Sequence, residues 1–324
     1  MTSETIQAAH DRIRPHIHRT PILTNRTIDE LAGCAVHFKC ENFQKIGAFK
    51  ARGGLNAVLQ LTPDELRAGI TTHSSGNHAQ AIAYAARQVG AQAYIVMPRT
   101  APQVKKDAVR GYGAEVIECE PTLEAREAGV QAVIARTGAA MIHPFDDDRV
   151  IAGQATAAKE LIEDAGHEHY GDDLPSFPRP FDWILAPVGG GGLLSGTALS
   201  AHFFAPSTKV IAGEPEGAAD AVLSFQSGRV EKAPYIDTIA DGLLTNLSER
   251  TLAIIRQHVT DIKTVSDAEI IAAMRLIWER MKIIIEPSCA VPLAVVLKHK
   301  ALFAGHKVGI ILTGGNVDLG KLPF

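Results

Sequence analysis

The sequence holds 324 residues, 46% of them hydrophobic and 21% charged, enough for one large domain or two medium ones with an ample core. Its 32 Lys and Arg against 36 Asp and Glu leave a net charge of −4, so no basic excess points to nucleic acid or an anionic membrane, and disorder is excluded at this hydrophobic content. No apolar run approaches the ~20 residues that span a bilayer. Residues 1–6 carry neither the basic nor the apolar region of a signal peptide. A cytoplasmic globular protein is expected.

Cys34, Cys40, Cys119 and Cys289 are scattered without a C-x-x-C pair, so no zinc site, redox motif or disulfide framework is expected. They read as small buried hydrophobes. His167 and His169 sit in a polar, Gly/Pro-rich stretch without further ligands and read as loop histidines.

In chain order, Ala93–Met97 is predicted as a buried strand closed by Pro98. Pro102–Tyr112 is predicted as a helix with Pro in its first turn and Gly113 beyond its end. Glu115–Cys119 reads as a strand, Thr122–Ala135 as a helix, and Met141–His143 as a short strand stopped by Pro144. A polar interruption over Gly166–Pro180 is expected to be a surface loop. Beyond it come a strand at Phe181–Ala186, a turn at Gly189–Gly192, a helix at Leu193–Phe204 and a strand at Lys209–Gly213. Val265–Met281 is predicted helical, with Ser266 and Glu269 spaced as a capping box. Val308–Leu312 is the last strand. Such alternation implies right-handed βαβ units and an α/β fold with parallel sheets.

Ligands of open parallel sheets collect where strands feed into helix N-termini, so the segments after strands carry the functional signal. Gly189–Gly192 lies between a strand and a helix. Consecutive glycines let backbone N–H groups converge on a phosphate, although the same run also serves a tight, ligand-free turn. Ser74-Ser75-Gly76-Asn77-His78 offers hydroxyls, an amide and free N–H groups to an anion, or an ordinary N-cap. Lys50, among apolar and Gly residues, is either a solvated lysine or a desolvated amine usable as nucleophile or base. Thr313-Gly314-Gly315-Asn316, read alone, is a turn.

Taken together, these four segments resemble the fold-type II pyridoxal-phosphate (PLP) enzymes of the serine/threonine dehydratase and serine racemase family, which includes 3-hydroxyaspartate dehydratases. The likeness extends to Ile151-Ala-Gly-Gln154, Thr238-Ile-Ala-Asp-Gly242 and the segment from Trp278 to Glu286-Pro-Ser, and covers nearly the whole chain. It implies two open, twisted parallel-sheet domains of the tryptophan synthase β type. Residues 1–68 and 147–324 would form the large PLP-binding domain, and 69–146 the small one.

By this resemblance Lys50 carries PLP as a Schiff base and moves the substrate Cα proton on one face. Phe49 packs beside the pyridine ring, Asn77 meets its 3′-oxygen, Gly189, Gly190, Gly191 and Gly192 hold the phosphate, and Thr313 meets the ring nitrogen. A hydroxyl there leaves the ring neutral, which suits β-elimination. Ser74, Ser75, Asn77 and His78 lie where the family binds the substrate carboxylate, and Ser75 matches the opposite-face acid/base of racemases. Glu214, the carbonyl of Ala218 and Asp220 match a divalent-cation site, and these hard oxygen ligands suit Mg²⁺, Mn²⁺ or Ca²⁺. Without the resemblance they would read as solvated loop carboxylates.

Arg126 matches an Arg able to meet a second substrate carboxylate, which favours 3-hydroxyaspartate over threonine or serine. A solvent-facing helix Arg is the competing reading. Phe145 replaces the Asn of animal serine racemases and reads toward the dehydratase side. The expected reaction removes water from a β-hydroxy amino acid, with 3-hydroxyaspartate going to oxaloacetate and ammonia. Threonine/serine dehydration, serine racemisation and, more distantly, PLP β-replacement are the alternatives. A homodimer is expected from the family.

Overall fold

The computed structural model describes residues 1–165 and 181–324, so His167, His169 and the expected loop over 166–180 lie outside the described residues. Ten strands are described: β1 (Ile22–Leu23), β2 (Ala35–Cys40), β3 (Ile70–His73), β4 (Ala93–Pro98), β5 (Glu115–Cys119), β6 (Ala140–Met141), β7 (Trp183–Pro187), β8 (Lys209–Pro215), β9 (Asp261–Val265) and β10 (Lys307–Leu312). They form two sheets. One has the order β1-β2-β10-β7-β8-β9 and the other β5-β4-β3-β6. All pairings are parallel except that of the short β1 with β2.

The central strands are near-continuous apolar runs, because helices cover both faces of a parallel sheet. Ile184, Leu185 and Ala186 in β7, and Ile310, Ile311 and Leu312 in β10, are fully buried. Helix Gln103–Gly111 starts after Pro102, and Thr122 caps helix Leu123–Thr137 by accepting from the Ala125 N–H. The capping box of Ser266 and Glu269 is formed, and opens helix Asp267–Met281. Val265 is not helical. It ends β9, paired with Pro215 of β8, because the Ser266 cap starts the helix only at Asp267. The expected strand Met141–His143 is also shorter. His143 leaves it because its Nδ1 accepts the N–H groups of Phe145 and Asp146, which turns the chain. Cys34, Cys40 and Cys289 are buried as expected, Cys119 is half-buried, and all four are free thiols.

Three helices meet through backbone contact. A Cβ on Gly153 would lie 2.6 Å from Gly53 Cα, and one on Gly196 would lie 2.6 Å from Ala155 N. Helices Lys50–Val58, Asp148–Ala165 and Gly192–Phe204 therefore pack face to face. Gln154 Oε1 also accepts the Gly53 N–H at 3.2 Å. The Ile151-Ala-Gly-Gln154 segment thus holds the helix that starts at Lys50.

Each sheet contains a point where the strand order reverses. In the six-stranded sheet the chain runs from β7 outward to β8 and β9, while β10 returns on the other side of β7. In the four-stranded sheet β4 and β5 lie on one side of β3 and β6 on the other. Crevices at such reversals are where α/β sheets bind ligands. The loops that border them here follow β7, β10, β3 and β6. Among the described residues no helix is long and apolar enough to cross a membrane.

Candidate active site

The two crevices face each other across Lys50. Its helix starts beside the turn after β10, where the Phe49 N–H donates to the Thr313 carbonyl at 2.9 Å. Lys50 Nζ reaches the opposite sheet, donating to the Pro144 carbonyl after β6 at 2.8 Å and lying 5.3 Å from the Phe49 ring centroid. A main-chain carbonyl does not offset the loss of water as a carboxylate would. Burial therefore lowers the Lys50 pKa to about 8, so near neutral pH a useful fraction is free amine.

On the four-stranded side, helix Asn77–Val89 starts after β3 and exposes its first N–H groups at the turn. Ser74 is half-buried, with its hydroxyl accepting the Gly76 N–H at 3.3 Å, and Ser75 is exposed on the same turn. His78 is buried, its Nε2 lies 3.3 Å from the Ile142 carbonyl, and its Nδ1 has no partner. Burial, then the charge of Lys50, pushes its pKa well below the ordinary value. His143 falls to about 4 by burial and its neighbour His73, whose ring stands edge-on at 6.2 Å. These imidazoles are neutral at pH 7. Arg126 is half-buried, and its Nε donates to the Thr122 carbonyl at 3.2 Å. After burial, the positive charge of Arg126 is the next cause of the lowered pKa of His73, and it also lowers that of Cys119, so Arg126 lies within electrostatic reach of both.

On the six-stranded side, β7 runs into the glycine turn and helix Gly192–Phe204, with Gly191 at φ +86°. Side chains are excluded by contact as well as by conformation. A Cβ on Gly190 would lie 2.2 Å from the Phe145 ring, and one on Gly189 would lie 3.0 Å from Leu243 Cα. The turn therefore presents backbone N–H groups and the positive end of a 13-residue helix. Thr313 is buried at the end of β10, next to Cys289. Asn77 Nδ2 donates to Glu286 Oε1 at 2.8 Å, and Asn316 Nδ2 donates to Asn77 Oδ1 at 2.9 Å.

A family model for pyridoxal-phosphate dependent enzymes matches residues 13–314. The chain belongs to this family. The chain is 51% identical to a β-hydroxyaspartate dehydratase of Paracoccus denitrificans, over 100% of this chain and 98% of that protein. It is 48% identical to a serine racemase of Dictyostelium discoideum, over 99% and 97% of the two chains. The crystal structure of that racemase superposes with a TM-score of 0.89, covering 98% of this chain and 99% of that one. An L-threo-3-hydroxyaspartate ammonia-lyase of Saccharomyces cerevisiae is 44% identical, over 97% and 92%. The fold is the expected fold-type II arrangement of parallel sheets.

The residues of this pyridoxal-phosphate dependent enzyme fit its cofactor. Among the described residues the one hydrogen bond of the Lys50 amine is to a carbonyl, and the glycine turn offers only backbone N–H groups to a phosphate, because a Cβ on it would run into Phe145, Leu243 or Leu247. The residues suggested for a divalent cation lie elsewhere, at the end of β8. Glu214 accepts the N–H groups of Ala221 at 2.6 Å and Val222 at 2.9 Å, while Asp220 Oδ2 is buried without a partner. Burial raises Glu214 to about 8, with repulsion from Asp220 adding to it, and burial raises Asp220 to about 7. An orphaned carboxylate oxygen beside a second carboxylate suits a hard cation. Among the described residues no cluster of three or more His, Cys, Asp or Glu could hold a metal, so the remaining ligands would be carbonyls and water.

Sequence reasoning missed an ion cluster under the lysine. Arg52 is fully buried and all five of its N–H groups are used, on Glu41 (2.7 and 2.8 Å), Glu160 (2.7 and 2.9 Å) and Thr156 (3.1 Å). Lys39 Nζ adds a 2.7 Å contact to Glu160, whose pKa falls to about 2. Glu41 and Arg52 both fall in the stretch around Lys50, but their partner Glu160 lies more than a hundred residues away. No local pattern pairs them. Asn316 and Glu286 were likewise passed over as parts of a turn and of a family segment.

Proposed function

We propose that this protein is a PLP-dependent ammonia-lyase that removes water from a β-hydroxy amino acid, with 3-hydroxyaspartate as substrate and oxaloacetate and ammonia as products. The observation that carries the substrate class is the 51% identity to a β-hydroxyaspartate dehydratase over the whole chain. Arg126, within electrostatic reach of His73, would provide the fork that a second carboxylate needs.

Bound PLP supplies an electron sink that acidifies the Cα proton of an amino acid joined to it. Lys50, with its lowered pKa, takes that proton as a free amine. Ser74, Asn77 and His78 orient the α-carboxylate at the helix start after β3, and Arg126 orients the β-carboxylate. Gly189–Gly192 would hold the phosphate, and Phe49, Asn77 and Thr313 would hold the ring. Loss of the β-hydroxyl as water leaves an enamine, which hydrolyses after release to the 2-oxo acid and ammonia. The same reading includes a Mg²⁺-class cation on Glu214, Ala218 and Asp220, a homodimer, and a cytoplasmic location. It also includes the division into 1–68 with 147–324 and 69–146, supported by the confinement of the four-stranded sheet to residues 70–141.

Serine racemase is the second reading, favoured by the exposed Ser75 on the turn after β3 and by the Dictyostelium relative. An ammonia-release screen over serine, threonine and both 3-hydroxyaspartate diastereomers, with and without Mg²⁺, separates the two. Hydroxyaspartate is expected to give the highest kcat/KM, and D-serine formed faster than ammonia would favour the racemase. Lys50→Ala is expected to lose both turnover and the visible absorbance of lysine-bound PLP. A variant that keeps that absorbance unchanged refutes the role of Lys50.

A further inference from the structure

The Thr313-Gly314-Gly315-Asn316 turn has a purpose beyond reversing the chain. Glu286 is the N-cap of helix Pro287–Lys298, yet its side chain makes no capping bond to that helix. It turns inward instead and is 6% exposed. Its Oε1 takes the Asn77 Nδ2 hydrogen at 2.8 Å. Gly314 makes room for this path, because a Cβ there would lie 2.8 Å from Glu286 Oε1. The Glu286 N–H donates to the Gly314 carbonyl at 3.0 Å and locks the turn against the helix start.

Asn316 completes the arrangement. Its Nδ2 donates to Asn77 Oδ1 at 2.9 Å and to the Ile46 carbonyl at 2.8 Å. Ile46 has φ +60°, a conformation that a β-branched residue adopts only when its surroundings enforce it. The strained turn four residues before Lys50 is thus tied to the same amide that Asn77 presents after β3. With Oδ1 receiving a donor and Nδ2 facing a carboxylate, the Asn77 amide has one orientation, since a flip would set N–H against N–H. Among the described residues no acceptor takes the other Nδ2 hydrogen.

We propose that Glu286 and Asn316 are positioning residues that clamp the Asn77 amide, so that its second Nδ2 hydrogen is held for the cofactor rather than free to rotate. This rests on the PLP reading above. The surroundings of Glu286 agree. Burial, with Asp241 adding repulsion, raises its pKa to about 7, while Lys105 and the Asn77 donor pull it back. A buried carboxyl so penalised is retained only where its hydrogen bonds are needed.

The test is a double-mutant cycle in cofactor affinity, read by titrating stripped protein with PLP and following fluorescence. Glu286→Ala is expected to weaken PLP binding about tenfold, the loss of one charge-assisted orientation. In the Asn77→Ala background the same change is expected to have no further effect, because there is no amide left to clamp. Losses that multiply in the double variant, or no loss in Glu286→Ala, overturn the proposal. A purely structural Glu286 would lower affinity equally in both backgrounds. If Glu286→Ala does not fold, the same cycle with Asn316→Ala, half-buried and outside the core, decides by the same outcomes. Borohydride reduction of the wild-type holoenzyme, followed by mass analysis of the peptide bearing Lys50, is run beside it. Absence of a PLP adduct on Lys50 sinks the cofactor reading, whereas an adduct with a multiplicative cycle sinks the clamp alone.

Discussion

On the reading that a divalent cation binds at Glu214 and Asp220, its removal should make this protein progressively less stable as pH rises from about 4 to about 8. Glu214 and Asp220 are 1% and 2% exposed, and in the folded chain their pKa values lie near 8 and 7 instead of 4.5 and 3.8. A carboxyl whose folded pKa is raised favours folding while it is protonated in both states, and that advantage is lost as pH climbs through the folded pKa. At 1.36 kcal/mol per pKa unit, Glu214 alone corresponds to at most about 5 kcal/mol. The two groups repel each other, so their effects do not simply add. For a chain of 324 residues, about 5 kcal/mol corresponds to about 7 °C in Tm. A bound Mg²⁺ would offset most of this by pairing with the ionised carboxylates. The assay is differential scanning fluorimetry from pH 4 to pH 9, after EDTA and after added Mg²⁺. The Tm gap between the two samples is expected to be near zero at pH 4, to open through pH 6–8 and then to level off. A gap that is absent throughout, or that does not widen with pH, refutes the cation at Glu214 and Asp220.

Two further outcomes follow from the site. Arg126→Ala should lower the ratio of kcat/KM for 3-hydroxyaspartate over threonine by about 10–100-fold, the value of a charge-assisted pair, and an unchanged ratio removes Arg126 from substrate recognition. Arg52→Met leaves Glu41 and Glu160 buried without their cation and should destabilise the chain by about 3–5 kcal/mol in a urea or thermal melt. A loss under 1 kcal/mol there would mean that Lys39 and water suffice to hold both carboxylates.

The positions of the elements were legible because their causes are local. Apolar runs mark β4, β5, β7 and β10. Pro102 and Gly113 bracket one helix, and Thr122 and Ser266 cap two others within three residues of the N–H groups they accept. Gly189–Gly192 stood out for the same reason, since four glycines are more than a turn needs, whereas Ser74–His78 read equally well as an ordinary N-cap and gained weight only from the family resemblance. What those segments meet was not legible. Glu286 at a helix start and Asn316 in a turn carry no local mark of their bond to Asn77, which lies more than two hundred residues away. That the helix of Arg126 brings its charge within reach of His73 was equally invisible, since the two lie on separate elements. Local composition determined the strands, the caps and the glycine- and serine-bearing turns of this protein. Only the return of β10 beside β7, and the placement of β3 between β4 and β6, decided that those turns converge on Lys50, because strand order depends on contacts between residues far apart in the chain.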